Sequence, residues 1–374
     1  MISLAITALI HDIGHGPFSH TFEQIFNEAL KANNIFDSET KKIMEVKHED
    51  WSNVFIDRLI KENIIKEKYS ETVKQIYRVK THKLHGIISS QLDVDRFDYL
   101  LRDSHFCGVS YGNFDLYWLI DCLRICPIDS VICIEEKGIN AVEHYIMARR
   151  LMNKNVYFHR IKCAYEFMLK NVFKLIKNHI AELSQITQIN HFPLISFLNH
   201  ISKDEEKSKE EILNELFDYY CNITDYDIWS LLKQIANLNS LNTSLNEIKL
   251  LIFLCDCLLN RKLPSICSVK IGYSTLVKNR ITEFIKDNAN SLIKYIIEFE
   301  PQDFGVYKTK GEEIYYLTGE GYRNVLAKSS LLKTSQSEEV RYLYRINISH
   351  IDLCADNEVN TYLNSLSSYL DCNK

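Results

Sequence analysis

A mainly α-helical fold, completed by a small α+β part towards the C-terminus, is what this sequence predicts. Three observations predict it. Apolar residues recur at helical spacing through most of the first 260 positions. Glycine and proline are scarce, 11 and 5 in 374 residues, too few for long loops or a β-rich architecture. Apart from one short run at Val131–Glu135, strand-like alternation is confined to the last part of the chain.

The elements follow in order. An apolar run over residues 2–13 reads as a buried helix, broken by Gly14, Gly16 and Pro17. Ser19 is placed to cap a second helix bearing Phe22, Ile25, Phe26 and Leu30. Helices are expected around Glu39–Glu45, after Lys47-His48-Glu49-Asp50 (with Trp51, Val54, Phe55, Leu59 and Ile60), and over 71–79. His85–Phe106 follows as a helix, then a loop at Gly108, Gly112 and Asn113, then a helix over Phe114–Cys126. Val131–Glu135 is a strand, and one long helix is expected from Asn140 to about Ile180. After a helix at 192–201, the charge run Ser202–Glu211 reads as a solvated connection, leading to helices at 211–221, 226–238 and 244–260. A boundary near Leu263–Ser268 separates a helical domain, residues 1–267, from an α+β region, residues 268–374. There, alternation at Tyr295–Phe299, Phe304–Tyr307, Glu313–Leu317 and Val340–Ile348 predicts strands, with a turn at Thr318-Gly319-Glu320-Gly321.

The composition is that of an ordinary globular protein: 46% hydrophobic, 25% charged, net charge −5. That charge gives no support for broad electrostatic binding of nucleic acid, though it leaves room for a local basic groove. The 11 cysteines are odd in number and irregular in spacing, with no paired C-x-x-C, which argues against a zinc ribbon. They are expected to be reduced, buried thiols of a cytoplasmic protein. The initial apolar run has no basic segment before it and no small-residue cleavage site, so it is not read as a signal peptide. No apolar run of about 18 residues is present, and no membrane span is expected.

Three stretches carry chemistry. The first, Ile10-His11-Asp12-Ile13-Gly14-His15-Gly16-Pro17-Phe18-Ser19-His20, ends an apolar helix in tandem imidazole and carboxylate groups. Alone it admits two readings, a metal site or a polar helix end whose histidines cap carbonyls. The second is His85–Phe106, where helical spacing puts Asp95, Tyr99, Arg102 and Asp103 on one face. The third is the predicted long helix, where Arg149, Asn153, Tyr157 and Arg160 share a stripe. Guanidinium and phenol groups on such stripes suit a phosphate-bearing ligand.

HDIGHGPFSH, KHED and LDVDRFDYLLRDSHFCGVSYG together resemble the HD-domain phosphohydrolases, in particular the deoxynucleoside triphosphate triphosphohydrolase branch. ARRLMNKNVYFHR is similar to that branch's substrate helix, and the likeness covers about residues 1–180. The resemblance implies a divalent metal (Mn, Fe, Mg, Zn or Ni) held by His11, Asp12 and Asp95. The family's first ligand, a histidine on a preceding helix, has no counterpart here, so the helical domain is read as N-terminally incomplete, as carrying a mis-assigned start, or as a natural departure with three metal ligands. His15, His20, Glu23 and His48 match the catalytic positions, with His20 and Glu23 as the implied acid/base pair. Arg96, Tyr99, Asp103, Arg149 and Tyr157 match substrate contacts, Tyr99 and Asp103 facing the sugar and Arg149 the phosphate. Asn153 stands where a family member carries histidine, and His159 and Arg160 also match the helix.

The implied activity is hydrolysis of a dNTP to deoxynucleoside and triphosphate, by a homo-oligomer. Two alternatives are a phosphohydrolase of another nucleotide or phosphoester, and a catalytically weak regulator that binds nucleotide or nucleic acid.

Overall fold

The computed structural model describes residues 1–126, 131–201, 206–238, 245–270, 272–289, 291–303, 313–329, 331–332 and 339–372. It is mainly helical, with short sheets. Two compact units are each assembled from separated segments: Met1–Asp12, Phe55–His159 and Gln302–Val340 in the first, and Ile13–Val54, Arg160–Pro301 and Arg341–Lys374 in the second.

In the first unit, α1 (Ile2–Ile10) packs on α4 (Glu67–Arg78). Ile10, Ile56, Ile65 and Val73 are buried between them and their neighbours, and Tyr77 donates a hydrogen bond to the His11 carbonyl at 3.2 Å. This contact holds the end of α1, where the sequence turns from apolar to ligand-bearing. A larger core surrounds α6 (Val94–Phe106) and α8 (Ile139–Met152). Phe97, Leu100, Phe114 and Tyr145 are buried in it, and the rings of Phe97, Phe114 and Tyr145 meet edge-on or tilted. A four-stranded sheet closes this core: β2 (Leu123–Ile125), β3 (Ile132–Ile134), β7 (Tyr315–Thr318) and β8 (Gly321–Asn324). β3 and β7 are parallel, while β7 and β8 form a hairpin through the turn expected at residues 318–321.

In the second unit, α2 (His20–Ala32) and α14 (Asn246–Leu259) both pack on α9 (Arg160–Asn178). Phe22, Phe26, Trp51, Phe197 and Tyr220 form an aromatic core, Trp51 stacking on Tyr220 at 3.9 Å. A second sheet has the order β10 (Leu370–Asp371), β5 (Ser265–Val269), β9 (Glu339–Arg345), β6 (Ile297–Asp303). Among the described residues no helix is long and apolar enough to cross a membrane.

Several expectations are corrected. Residues 39–45 are not helical: the Asp37 carboxylate accepts from the backbone N–H of Glu39 and Thr40, folding a turn that returns Ile43 to Phe36. The helix expected over Phe114–Cys126 is confined to α7 (Leu116–Cys122), because Leu123 turns extended and pairs with Ile134. The long helix expected from Asn140 to Ile180 is interrupted by a π-turn at Asn153–Tyr157, and Phe158 N–H bonds back to the Asn153 carbonyl. That slip ends the shared stripe, and Arg160 opens α9 in the other unit. Ser19 occupies the cap position of α2 but makes no capping bond. Cys267 and Cys372 form a disulfide across β5 and β10, so these two are not the reduced thiols expected. The strand expected at Phe304–Tyr307 and residues 202–205 of the charge run lie outside the described residues.

Candidate metal centre and histidine cluster

His11 follows the last turn of α1, and its Nδ1 lies 2.9 Å from the Ala8 carbonyl. A carbonyl only accepts, so Nδ1 carries the proton and Nε2 is the nitrogen that could ligate a metal. Nε2 faces Asp12 Oδ2 at 3.3 Å and Asp95 Oδ1 at 3.4 Å. The imidazole thus caps a carbonyl with one nitrogen and faces two carboxylates with the other, a geometry compatible with either reading of this stretch. Asp12 and Asp95 push the His11 pKa up to about 10, against the opposing effect of burial. The two carboxylates favour positive charge at Nε2, carried either by a proton on His11 or by a cation in its place. The donor set of one oriented imidazole nitrogen and two carboxylates fits a first-row metal.

Asp95 is positioned by its helix start. Asp93 caps α6, its Oδ1 accepting from Arg96 N–H at 2.8 Å and its Oδ2 from Ser90 N–H at 2.9 Å. The Arg96 guanidinium closes the clamp on the Asp93 carboxylate and the Ser90 carbonyl. Burial raises the Asp93 pKa, partly opposed by Arg96 and the helix N–H groups. The sequence reading assigned Asp93 no role; the signal was its position just before a helix, as a cap.

Further along α6, Tyr157 donates to Asp103 Oδ2 at 2.8 Å, and the Tyr99 and Tyr157 rings meet edge-on at 5.8 Å. Burial raises the Tyr99 pKa, while Arg149 and Arg96 oppose it. Arg96, Tyr99, Asp103, Arg149 and Tyr157 therefore lie in one unit and four of them are linked by contact or charge through Tyr99. Arg102, placed on the same face by spacing, is exposed and pairs with Asp98 at 3.2 Å and with Asp103 at 3.9 Å.

The other predicted residues gather in the second unit. His15 and His48 stack at 3.9 Å, and His20 meets each of them edge-on at 5.4 Å. His48 is the first residue of α3 (His48–Lys61). Glu23 Oε2 lies 2.8 Å from His48 Nδ1 and also accepts the His48 backbone N–H at 2.9 Å. The sequence pairs Glu23 with His20, one turn away; the structure pairs it with His48. Burial alone would raise the Glu23 pKa, but the bonds and charge of His48 outweigh it and hold the carboxyl below its ordinary range.

Backbone geometry builds this cluster. A Cβ on Gly14 would lie 2.2 Å from Ser52 N and 2.3 Å from the His48 carbonyl, so only glycine allows the turn to approach α3 so closely. Gly14 N–H bonds to Ser52 Oγ at 2.9 Å, and its carbonyl accepts from Tyr220 at 2.6 Å. Phe18 and Ser19 both have positive φ, near 57° and 54°. This strained pair turns the Ser19 hydroxyl to His15 Nδ1, at 3.0 Å, in place of the expected helix cap. Ser52 and Tyr220 were missed from sequence: Ser52 lies just past Lys47-His48-Glu49-Asp50 without being part of it, and Tyr220 neighbours no motif.

Comparisons with known proteins agree with this geometry. Residues 2–103 match the HD domain and residues 114–218 the HD associated region. An uncharacterized protein of Bacillus subtilis, YwfO, is 36% identical over 178 residues, 46% of this chain and 36% of that one. The deoxynucleoside triphosphate triphosphohydrolase SAMHD1 homolog of Dictyostelium discoideum is 28% identical over 241 residues, 62% of this chain and 44% of the relative. The chain thus spans less than half the length of both relatives. The crystal structure of a phosphohydrolase from Bacteroides thetaiotaomicron superposes with a TM-score of 0.66 at 25% identity, covering 92% of this chain and 81% of that one. With HD and D-V-D motifs placing an imidazole and two carboxylates together inside residues 2–103, the chain carries an HD domain followed by an HD associated region.

Proposed function

We propose that this chain carries a divalent-metal-dependent phosphohydrolase that acts on nucleotides and converts a dNTP to deoxynucleoside and triphosphate. The observation that carries the proposal is the His11–Asp12–Asp95 group, with its tautomer fixed by the Ala8 carbonyl. A metal held there would act as a Lewis acid on a phosphoryl oxygen. The relatives named for deoxynucleoside triphosphate triphosphohydrolysis support the substrate class.

The chain's own residues divide the remaining work. His48, whose Nδ1–H is fixed on Glu23, offers Nε2 for proton transfer, and the carboxylate stabilises the imidazolium that results. The structure therefore favours His48 with Glu23 as the acid/base pair over His20 with Glu23. His15 and His20 are assigned to phosphate oxygens. Arg149 and Arg96 supply positive charge to the triphosphate. Tyr99 and the Tyr157–Asp103 pair hold the sugar, where an unyielding phenol ring excludes a 2′-hydroxyl. Homo-oligomeric assembly and a cytoplasmic location belong to the same proposal.

The test combines metal analysis of the purified protein with dNTP turnover in Mn²⁺. Bound metal and release of deoxynucleoside are expected. Metal-dependent turnover of a different phosphoester, with dNTPs inert, would move the substrate class and leave the reaction type in place.

A further inference from the structure

A cavity lined by polar and apolar side chains lies entirely within the first unit, and none of His11, Asp12, Asp95 or Arg149 lines it. Its volume is about 480 Å³, inside the range of roughly 300–1,000 Å³ common for small-molecule sites. One wall is the segment 80–92 between α4 and α6, and the other comes from Val131–Ile132 and Glu313–Tyr315 beside β3 and β7. The walls meet where Gly86 approaches Ile132, since a Cβ on Gly86 would lie 2.9 Å from the isoleucine Cγ1.

The chemistry of the two walls differs. On the first wall, Lys80 is an exposed ammonium group. His82 Nδ1 accepts the Leu84 N–H at 3.2 Å, so its proton sits on Nε2, which is a donor. The Ser90 hydroxyl oxygen accepts the Leu92 N–H at 3.1 Å, leaving its O–H to donate. The second wall offers Glu313 as an acceptor, bonded at 3.3 Å by the Tyr315 hydroxyl, and the apolar surface of Ile132 and Ile314. Three donors including a full positive charge suit a dianionic phosphate, and a carboxylate beside an aromatic ring suits sugar hydroxyls.

We propose that this cavity is a binding site for a small phosphate monoester bearing hydroxyl groups, a sugar phosphate in chemical class. Lys80, His82 and Ser90 hold the phosphate, and Glu313 takes a hydroxyl. The site is independent of the nucleotide reading above. It does touch the start of α6, because Ser90 N–H and carbonyl are both engaged by the Asp93–Arg96 clamp, and the Gln91 carbonyl accepts the Tyr145 hydroxyl at 2.8 Å. A ligand bonded to Ser90 therefore steadies the helix turn that carries Asp95.

Calorimetry of the full chain with ribose 5-phosphate, inorganic phosphate and ribose tests this. Ribose 5-phosphate is expected to bind at one site, inorganic phosphate at least tenfold more weakly, and ribose not measurably. Lys80→Gln and His82→Gln should each weaken ribose 5-phosphate at least tenfold, and Ile132→Trp, which fills the cavity, should abolish it. Asp95→Ala should leave it unchanged, and hydrogen exchange should slow in residues 84–96 on binding. Lys80 is exposed, so its variant keeps the test readable if Ile132→Trp misfolds. Absence of binding, insensitivity to Lys80→Gln and His82→Gln, or loss in Asp95→Ala overturns the proposal; equal affinity for inorganic phosphate overturns its sugar half.

Discussion

Glu23 and His48 are joined twice, through the imidazole Nδ1 at 2.8 Å and through the backbone N–H at 2.9 Å, both on the same carboxylate oxygen. One acidic side chain therefore fixes both the ring orientation of His48 and the start of α3. Glu23→Gln keeps an oxygen acceptor for Nδ1–H but removes the charge that favours the imidazolium. Turnover is expected to fall roughly 10–100-fold with little change in KM, since the pair acts in proton transfer. An unchanged kcat would return the acid/base role to His20.

The same pair predicts a pH dependence of stability. The folded Glu23 pKa is depressed, so its contribution is present above the unfolded carboxyl value, about 4.3, and is lost as pH falls through the lower folded value. Urea unfolding between pH 3 and 6 should show wild type losing this contribution on acidification, with Glu23→Gln flatter over that window. Parallel curves would contradict it.

Metal affinity should rise with pH. His11 titrates near 10 without metal, above its ordinary value of about 6.5, because Asp12 and Asp95 favour its charged form. The metal must displace that proton, so apparent affinity should increase about tenfold per pH unit between 6.5 and 10. In metal-free protein the sign reverses: the protonated His11 contributes stability below about pH 6.5, and this is lost as pH rises towards 10. Mn²⁺ titration by paramagnetic resonance at pH 6.5 and 8.5 checks the first statement, with about a hundredfold difference expected. A flat response would mean that His11 is not the displaced group.

Asp93→Ala removes a helix cap and leaves the Arg96 guanidinium without its buried carboxylate. Loss of a cap costs about 0.5–2 kcal/mol, and breaking a buried pair adds more, so about 2–4 kcal/mol is expected in denaturant unfolding. Metal affinity should fall with it, because Asp95 lies two residues into the uncapped end.

Gly14→Ala should destabilise the chain by about 2 kcal/mol or more, since the new Cβ meets backbone of Ser52 and His48 that cannot rotate away. Activity should fall further than stability alone explains, because His48 is displaced with the backbone. An alanine variant of wild-type stability would mean that the turn can shift.

The helical fold was legible because apolar spacing marks helices, and the resemblance carried by two compact motifs, His11-Asp12 and Asp93-Val94-Asp95, singled out three side chains that do meet in space. The failures have local and distant causes. Asn153–Tyr157 contains ordinary helix-compatible residues, so a slip of one residue in bonding leaves no mark in the pattern. Spacing links Glu23 to His20, one turn away on α2, but the path of residues 33–47 brings His48 to it instead. Tyr220 reaches the Gly14 carbonyl from 206 positions away, a contact no short-range pattern carries. The Cys267–Cys372 pairing spans 105 residues and is equally silent in spacing.

The phosphorus NMR spectrum of the products of dATP, dGTP, dCTP and dTTP, each incubated with the chain and Mn²⁺, tests the central claim most directly. Tripolyphosphate with deoxynucleoside is the predicted result, absent in Asp95→Ala, which should also retain no metal. Pyrophosphate with a deoxynucleoside monophosphate, inorganic phosphate with a diphosphate, or triphosphate release that persists in Asp95→Ala would contradict it.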